Sequence, residues 1–300
     1  MMTSRLSAVF LIVLFASSCQ APEAYRRAQE AFSQGAKVEM RDRFQTLAGE
    51  RPQELVYLDN LYPSTTAAQA ARDAYYELAL TEVRTALQGK RQLRKVDALD
   101  NTYAIQALSQ WRQRDYTAAL ATAATAIPLL EDQSPDEDDT RDLAMMRALP
   151  GLIKLDVAYQ QLAVAKTLGE AITVTSNQDS SYQLVRQQFL DYGQANQDGS
   201  NSVIRGVALV QSVLEKVENE PNLRRYFLNA QLAGVDTYGD LLLETYQAAR
   251  RTEQGAEEIA WINQEREAYD RLIATHLERL EKLLPEGRDS ALYRFWKRVL

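Results

Sequence analysis

The chain has 300 residues, 46% of them apolar, with 34 Lys and Arg against 41 Asp and Glu, one His, one Cys and a formal charge of −7. The acidic balance argues against nucleic acid as a partner, and a single His with a single Cys excludes thiol redox pairs, two-histidine mechanisms and zinc sites that need several such ligands. Gly (12) and Pro (8) are few, Ala, Leu, Gln, Glu and Arg are many, and β-branched alternation is confined to Ile172-Thr173-Val174-Thr175, so an all-α fold is expected.

In chain order the first element is an export signal. Arg5 precedes an unbroken apolar run, residues 8–16, and two small residues, Ser17 and Ser18, lead to Cys19. The run is shorter than the roughly 20 apolar residues that span a bilayer. Phe15-Ala16-Ser17-Ser18-Cys19 resembles the lipobox of bacterial lipoproteins, with Ala16 where Leu is usual. The resemblance implies that residues 1–18 are a signal peptide and that Cys19 becomes an acylated N-terminus. Palmitate-type chains would anchor it, since two or three acyl chains hold a protein stably. Cys19 is the only cysteine, so it has no intrachain disulfide partner to compete with that role. In enteric-type lipoproteins Asp after the Cys retains the protein at the inner membrane. Gln20 stands there, so the resemblance implies the periplasmic face of the outer membrane. Removing Arg5 with the signal leaves −8 on the mature side chains.

Helical periodicity then recurs to the end. Helices are predicted over 22–34, 41–48 and 65–88. In the last of these, Tyr76, Leu80, Val83 and Leu87 form one stripe, and Ala68, Ala71, Tyr75 and Leu78 lie on a neighbouring face. Two stripes mean packing on two sides, and Gly89 reads as the C-terminal cap. Further helices are predicted over 101–113, 117–127, 136–168, 181–192, 202–217, 222–233, 237–251, 256–284 and 290–300. Ser134-Pro135-Asp136-Glu137 has the pattern of a helix start. Pro150-Gly151 should kink or split the helix it lies in. Asn196-Gln197-Asp198-Gly199-Ser200 reads as a loop, and Glu220-Pro221 and Leu284-Pro285-Glu286-Gly287 as stops. The short connections favour antiparallel neighbours.

Tyr103, Ala107, Asp115-Tyr116, Ala119, Ala123 and Ala126 resemble a tetratricopeptide unit. In that family small residues let two helices pack closely, with Asp-Tyr at the turn. Gln106 stands where Leu is usual, Arg114 replaces the turn Gly, and Pro128 falls early in the second helix. A looser echo runs from Ala24-Tyr25 through Ala31-Phe32-Ser33-Gln34-Gly35, then Leu61-Tyr62-Pro63-Ser64 into Ala67-Ala68-Gln69-Ala70-Ala71. The rhythm is similar to repeat lipoproteins that assist outer-membrane protein assembly. The resemblance implies a solenoid or bundle of stacked helix pairs over 19–133, with 134–300 continuing the stack.

Few residues suggest chemistry. His276 sits among Tyr269, Leu272, Ile273, Leu280 and Leu284, the pattern of a packed histidine. Glu131-Asp132 with Asp136-Glu137-Asp138-Asp139 and Asp142 lacks the glycine and spacing of a calcium loop, and fits a helix first turn instead. Lys90, Arg91, Arg94 and Lys95 form a basic run that could meet anionic headgroups or polysaccharide, or simply be a solvated interhelix loop. In the last helix Leu292, Phe295, Trp296 and Val299 make an apolar stripe with Arg288, Arg294, Lys297 and Arg298 around it. Phe295 and Trp296 could contact a surface, although such a helix more often caps a repeat stack. Tyr75, Tyr103 and Tyr116 are candidates for partner contact or packing. No phosphate loop, Ser elbow, cofactor motif or metal-ligand set stands out. The expected function is non-enzymatic, a tethered scaffold for an envelope protein or peptide. An accessory lipoprotein for a small apolar or anionic ligand is the alternative, with a peptidoglycan-active enzyme ranked last.

Overall fold

A computed structural model describes residues 20–46, 66–132, 137–171, 182–214, 221–251 and 256–300. The signal, Cys19, the 61–64 echo, the 134–136 cap and the 172–175 stretch lie outside them. The fold is all-α, with no strand among the described residues. The helices are α1 Gln20–Thr46, α2 Thr66–Leu87, α3 Lys90–Lys95, α4 Leu99–Arg112, α5 Tyr116–Glu131, α6 Glu137–Ala171, α7 Tyr182–Leu214, α8 Pro221–Ala249, α9 Ala256–Leu283 and α10 Ala291–Val299. Two compact units share them. The first holds described residues up to Leu149, and the second begins at Pro150. The boundary between them falls inside α6.

In the first unit α1 and α2 run antiparallel. Ala28 meets Val83, and the ring of Tyr76 lies against Gly35, where a Cβ would come within 2.9 Å of it. The predicted pair 22–34 and 41–48 is consequently one helix. Gly35 supplies space for an aromatic ring and not a break, and burying that ring is worth roughly 1.5–3 kcal/mol. Along α4, Ile105 joins Val83, and the Gln113 amide donates to the Asp73 carbonyl at 3.2 Å, so α4 is antiparallel to α2. Between them the short α3 is pinned by Leu93, which is fully buried with Ala21, Ala24, Ala86 and Leu99. Gly89 has φ −109° and precedes α3, so it is not the left-handed cap expected for α2. Among the described residues the left-handed non-glycine positions are Asp97 (φ 54°) and Arg114 (φ 63°).

The second unit is built around α8. Every residue from 227 to 235 is buried, including Asn229 and Gln231. A helix covered on all sides belongs in an interior. α7 and α9 both pack on α8, and Leu241, Ala248 and Ala249 meet Leu162 and Ala165 of α6. Predicted helices 222–233 and 237–251 are one. Thr237 reads as a possible helix start, but its hydroxyl donates back to the Ala233 carbonyl at 2.9 Å within the continuing turn. The expected loop at 196–200 is likewise helical. Gly199 seats Leu241, and Gln194 donates to Asp198 at 2.8 Å one turn on. α6 also continues through Pro150. There a Cβ on Gly151 would lie 2.9 Å from the Gly206 carbonyl oxygen, so the backbones of α6 and α7 cross at paired glycines.

The stops at Pro221 and after α9 agree with expectation. Pro221 opens α8, and Gly287, at φ 52°, ends the α9 region. Ser290 caps α10 by accepting from the Tyr293 N–H at 3.0 Å.

Candidate functional site

The structure scatters the sequence-selected residues. Tyr75 is 36% exposed on α2, with Leu78, 47% exposed, three residues on. Tyr103 is half-buried and packs on the Leu93 core, with the Lys90 ammonium 5.5 Å from its ring centre. Tyr116 is half-buried at the start of α5. Lys90, Arg91, Arg94 and Lys95 are all exposed, but on a helix and not a loop. Phe295 and Trp296 are buried, and the Trp296 indole donates to Asn229 Oδ1 at 2.9 Å. They close the second unit from inside and do not form an outward surface. Arg294, Lys297 and Arg298 keep the solvent side of α10.

His276 is buried, as its apolar neighbours imply. Its Nδ1–H faces the Leu272 carbonyl at 2.8 Å, which leaves Nε2 as a buried acceptor. Burial holds its pKa below the ordinary value, against the pull of the Leu272 bond and with help from the Arg279 charge. Nearby Gln211 Oε1 accepts from both Gln231, at 2.9 Å, and Arg279, at 3.0 Å, tying α7, α8 and α9 together.

A cluster of perturbed groups, absent from the residues singled out in the sequence, gathers around Asp236. Asp236 and Asp240 are four residues apart on α8 and share a face. Lys166 of α6 brings its ammonium to 3.8 Å from Asp240. From α9, Tyr269 lies directly over Gly239, where any Cβ would overlap its phenol. Its ring meets Tyr238 edge-on at 6.0 Å, and the Tyr238 hydroxyl donates to Glu265. Burial pushes the Asp236 carboxyl up to about 6, the Asp240 charge adds to this, and Lys166 opposes it. Tyr269 is pushed up to about 12 by burial first and then by Asp236, Asp240 and Asp270. Tyr238 is raised by burial and by its bond to Glu265. The arrangement holds one carboxyl whose pKa burial raises to about 6. The Asp-Gly-Asp spacing around residue 239 was visible in the sequence, but the tyrosine and lysine that cover it come from two other helices.

Among the described residues no group of three His, Cys, Asp or Glu side chains is placed to hold a metal ion, and no helix is long and apolar enough to cross a membrane. Compared with protein-family models, curated proteins and solved structures, the chain matches none.

Proposed function

We propose that this is a lipid-anchored helical-repeat binding protein of the bacterial envelope, holding an envelope protein or peptide on its first unit. The observation that carries the reading is the α4–α5 hairpin. Arg114, which stands where the tetratricopeptide family has Gly, adopts the left-handed conformation (φ 63°) that a Gly would take. Asp115 then caps α5 by accepting from the Ala118 N–H at 3.2 Å. Ala107, Ala119, Ala123 and Ala126 are all buried, so small side chains line the close approach of the pair. The antiparallel order α1, α2, α4, α5, with α4 touching both α1 and α2, is the pattern expected of stacked pairs. Anchoring through Cys19 and an outer-membrane location remain part of this proposal and rest on the lipobox resemblance.

Leu78 on α2 and Leu120 on α5, 47% and 37% exposed, are apolar positions open to a partner. A photo-crosslinking residue at each, in living cells, should capture the same envelope protein, and an unrelated lipoprotein should not. Capture of nothing above that background would overturn the scaffold reading in favour of a small-ligand accessory role.

A further inference from the structure

We propose that α3 is a headgroup-binding foot, which docks the first unit on an anionic phospholipid surface beside the anchored N-terminus. The inference rests on the lipoprotein reading for its setting and on the fold for its geometry.

The residues 90–99 carry Lys90, Arg91, Arg94 and Lys95 against one carboxylate, Asp97. All four cations are exposed. They project from a helix of six residues whose single buried side chain, Leu93, locks it to the core. Val96, 53% exposed, follows at its C-terminal end and adds an apolar contact beside the charges. A charged loop would spread these groups, whereas a pinned helix presents them together, so that binding orders the side chains alone and not the backbone.

The position of this helix points to its partner. Gly89, at the start of α3, approaches α1 so closely that a Cβ would come within 2.5 Å of the Ala21 methyl. Ala21 and Ala24 share a core with Leu93. The basic helix is therefore packed against the first turn of α1, and Cys19 is covalently next to Gln20, the first residue of α1. An acyl group on Cys19 starts one residue from this end of the unit. Glu23, the acid in that first turn, is engaged by Arg26 and Arg27, so it opposes the patch weakly. A lipid anchor and a basic patch at one end satisfy the two-signal rule for stable attachment. The net negative charge of the rest of the chain is repelled by the same surface, which favours contact through α3.

The test uses the purified mature lipoprotein with Val96→Cys. If Cys19 is acylated, the new thiol is the single labelling site for a fluorophore. Vesicles of phosphatidylglycerol with phosphatidylcholine, and of phosphatidylcholine alone, carry nitroxide-labelled headgroups as quenchers. Quenching should be strong on the anionic vesicles and weak on the neutral ones. It should vanish at about 1 M salt, where the Debye length is near 3 Å. Each Lys or Arg changed to Ala should weaken the docked state about fivefold. Helical content should be unchanged, since these side chains lie outside the core. Equal quenching on both vesicles, or quenching insensitive to salt and to charge removal, would overturn the proposal. A second fluorophore on Cys19 would show that the anchoring reading fails. Salt-sensitive quenching on anionic vesicles would still support the patch in that case, and its absence would overturn it.

Discussion

Replacing Asp236 by Asn should stabilise the second unit at neutral pH. The folded carboxyl has a pKa raised from 3.8 to about 6, chiefly by burial. At 1.36 kcal/mol per unit, a shift of about two units corresponds to about 3 kcal/mol. The side chain is only partly buried, so solvent screening reduces this to about 1–2 kcal/mol. The sign follows from linkage. Between about pH 4 and 6 the folded protein binds more protons at this site than the unfolded chain, so its contribution to stability falls as pH rises. The full penalty is present above pH 6. Asn has nearly the same shape and no charge to bury. Urea unfolding at pH 4 and pH 7.5, read by pulse-labelling hydrogen exchange in peptides of α8, isolates the unit concerned. The variant should exceed the parent by about 1–2 kcal/mol at the higher pH and converge with it at the lower. An Asn variant no more stable than the parent at pH 7.5 would show that Asp236 is adequately solvated or paired, and the burial argument would fail.

The other expectations concern the turn, the tyrosine seat, the histidine and the anchor. Arg114→Gly should raise the urea midpoint of the first unit by about 0.5–1 kcal/mol equivalent, the relief of a left-handed Arg less the entropy of a freer unfolded chain; a lower midpoint would contradict that turn geometry. Gly239→Ala should lose about 1–3 kcal/mol by displacing Tyr269, and in a Tyr269→Ala background most of that loss should disappear. His276 has a lowered folded pKa, so its contribution is intact above about pH 6.5 and is lost as pH falls below it. In pH-dependent unfolding His276→Gln should remove that acid-side loss, and a profile unchanged by the variant would refute it. Cys19→Ala should abolish incorporation of labelled palmitate; equal labelling of the variant would move the acylation site elsewhere.

Legibility differed between elements for definable reasons. Stops made by backbone chemistry were readable. Pro221 opens a helix, Ser290 caps α10 and Gly287 terminates the α9 region, because each acts within a few residues of itself. Interior glycines do not by themselves break a helix. Gly35 and Gly199 sit within continuous helices because Tyr76 and Leu241, distant in sequence, occupy the space a side chain would fill. Phe295 and Trp296 fit a cap better than a surface contact, yet an amphipathic stripe does not itself say what covers it. Asn229, which accepts from the Trp296 indole, decides for the interior.

The candidate sites divide along the same line. Sequence alone determined the all-helical class and the basic run at 90–95, because composition and local charge are properties of neighbouring residues. Whether those cations formed a loose loop or a pinned helix depended on Leu93 meeting α1 and α2, a contact across the fold. Only tertiary packing made Asp236 distinctive among 41 acidic residues. Its pKa is set by removal from water and by Asp240, with Lys166 opposing, and burial is a property of the assembled unit that no single helix possesses.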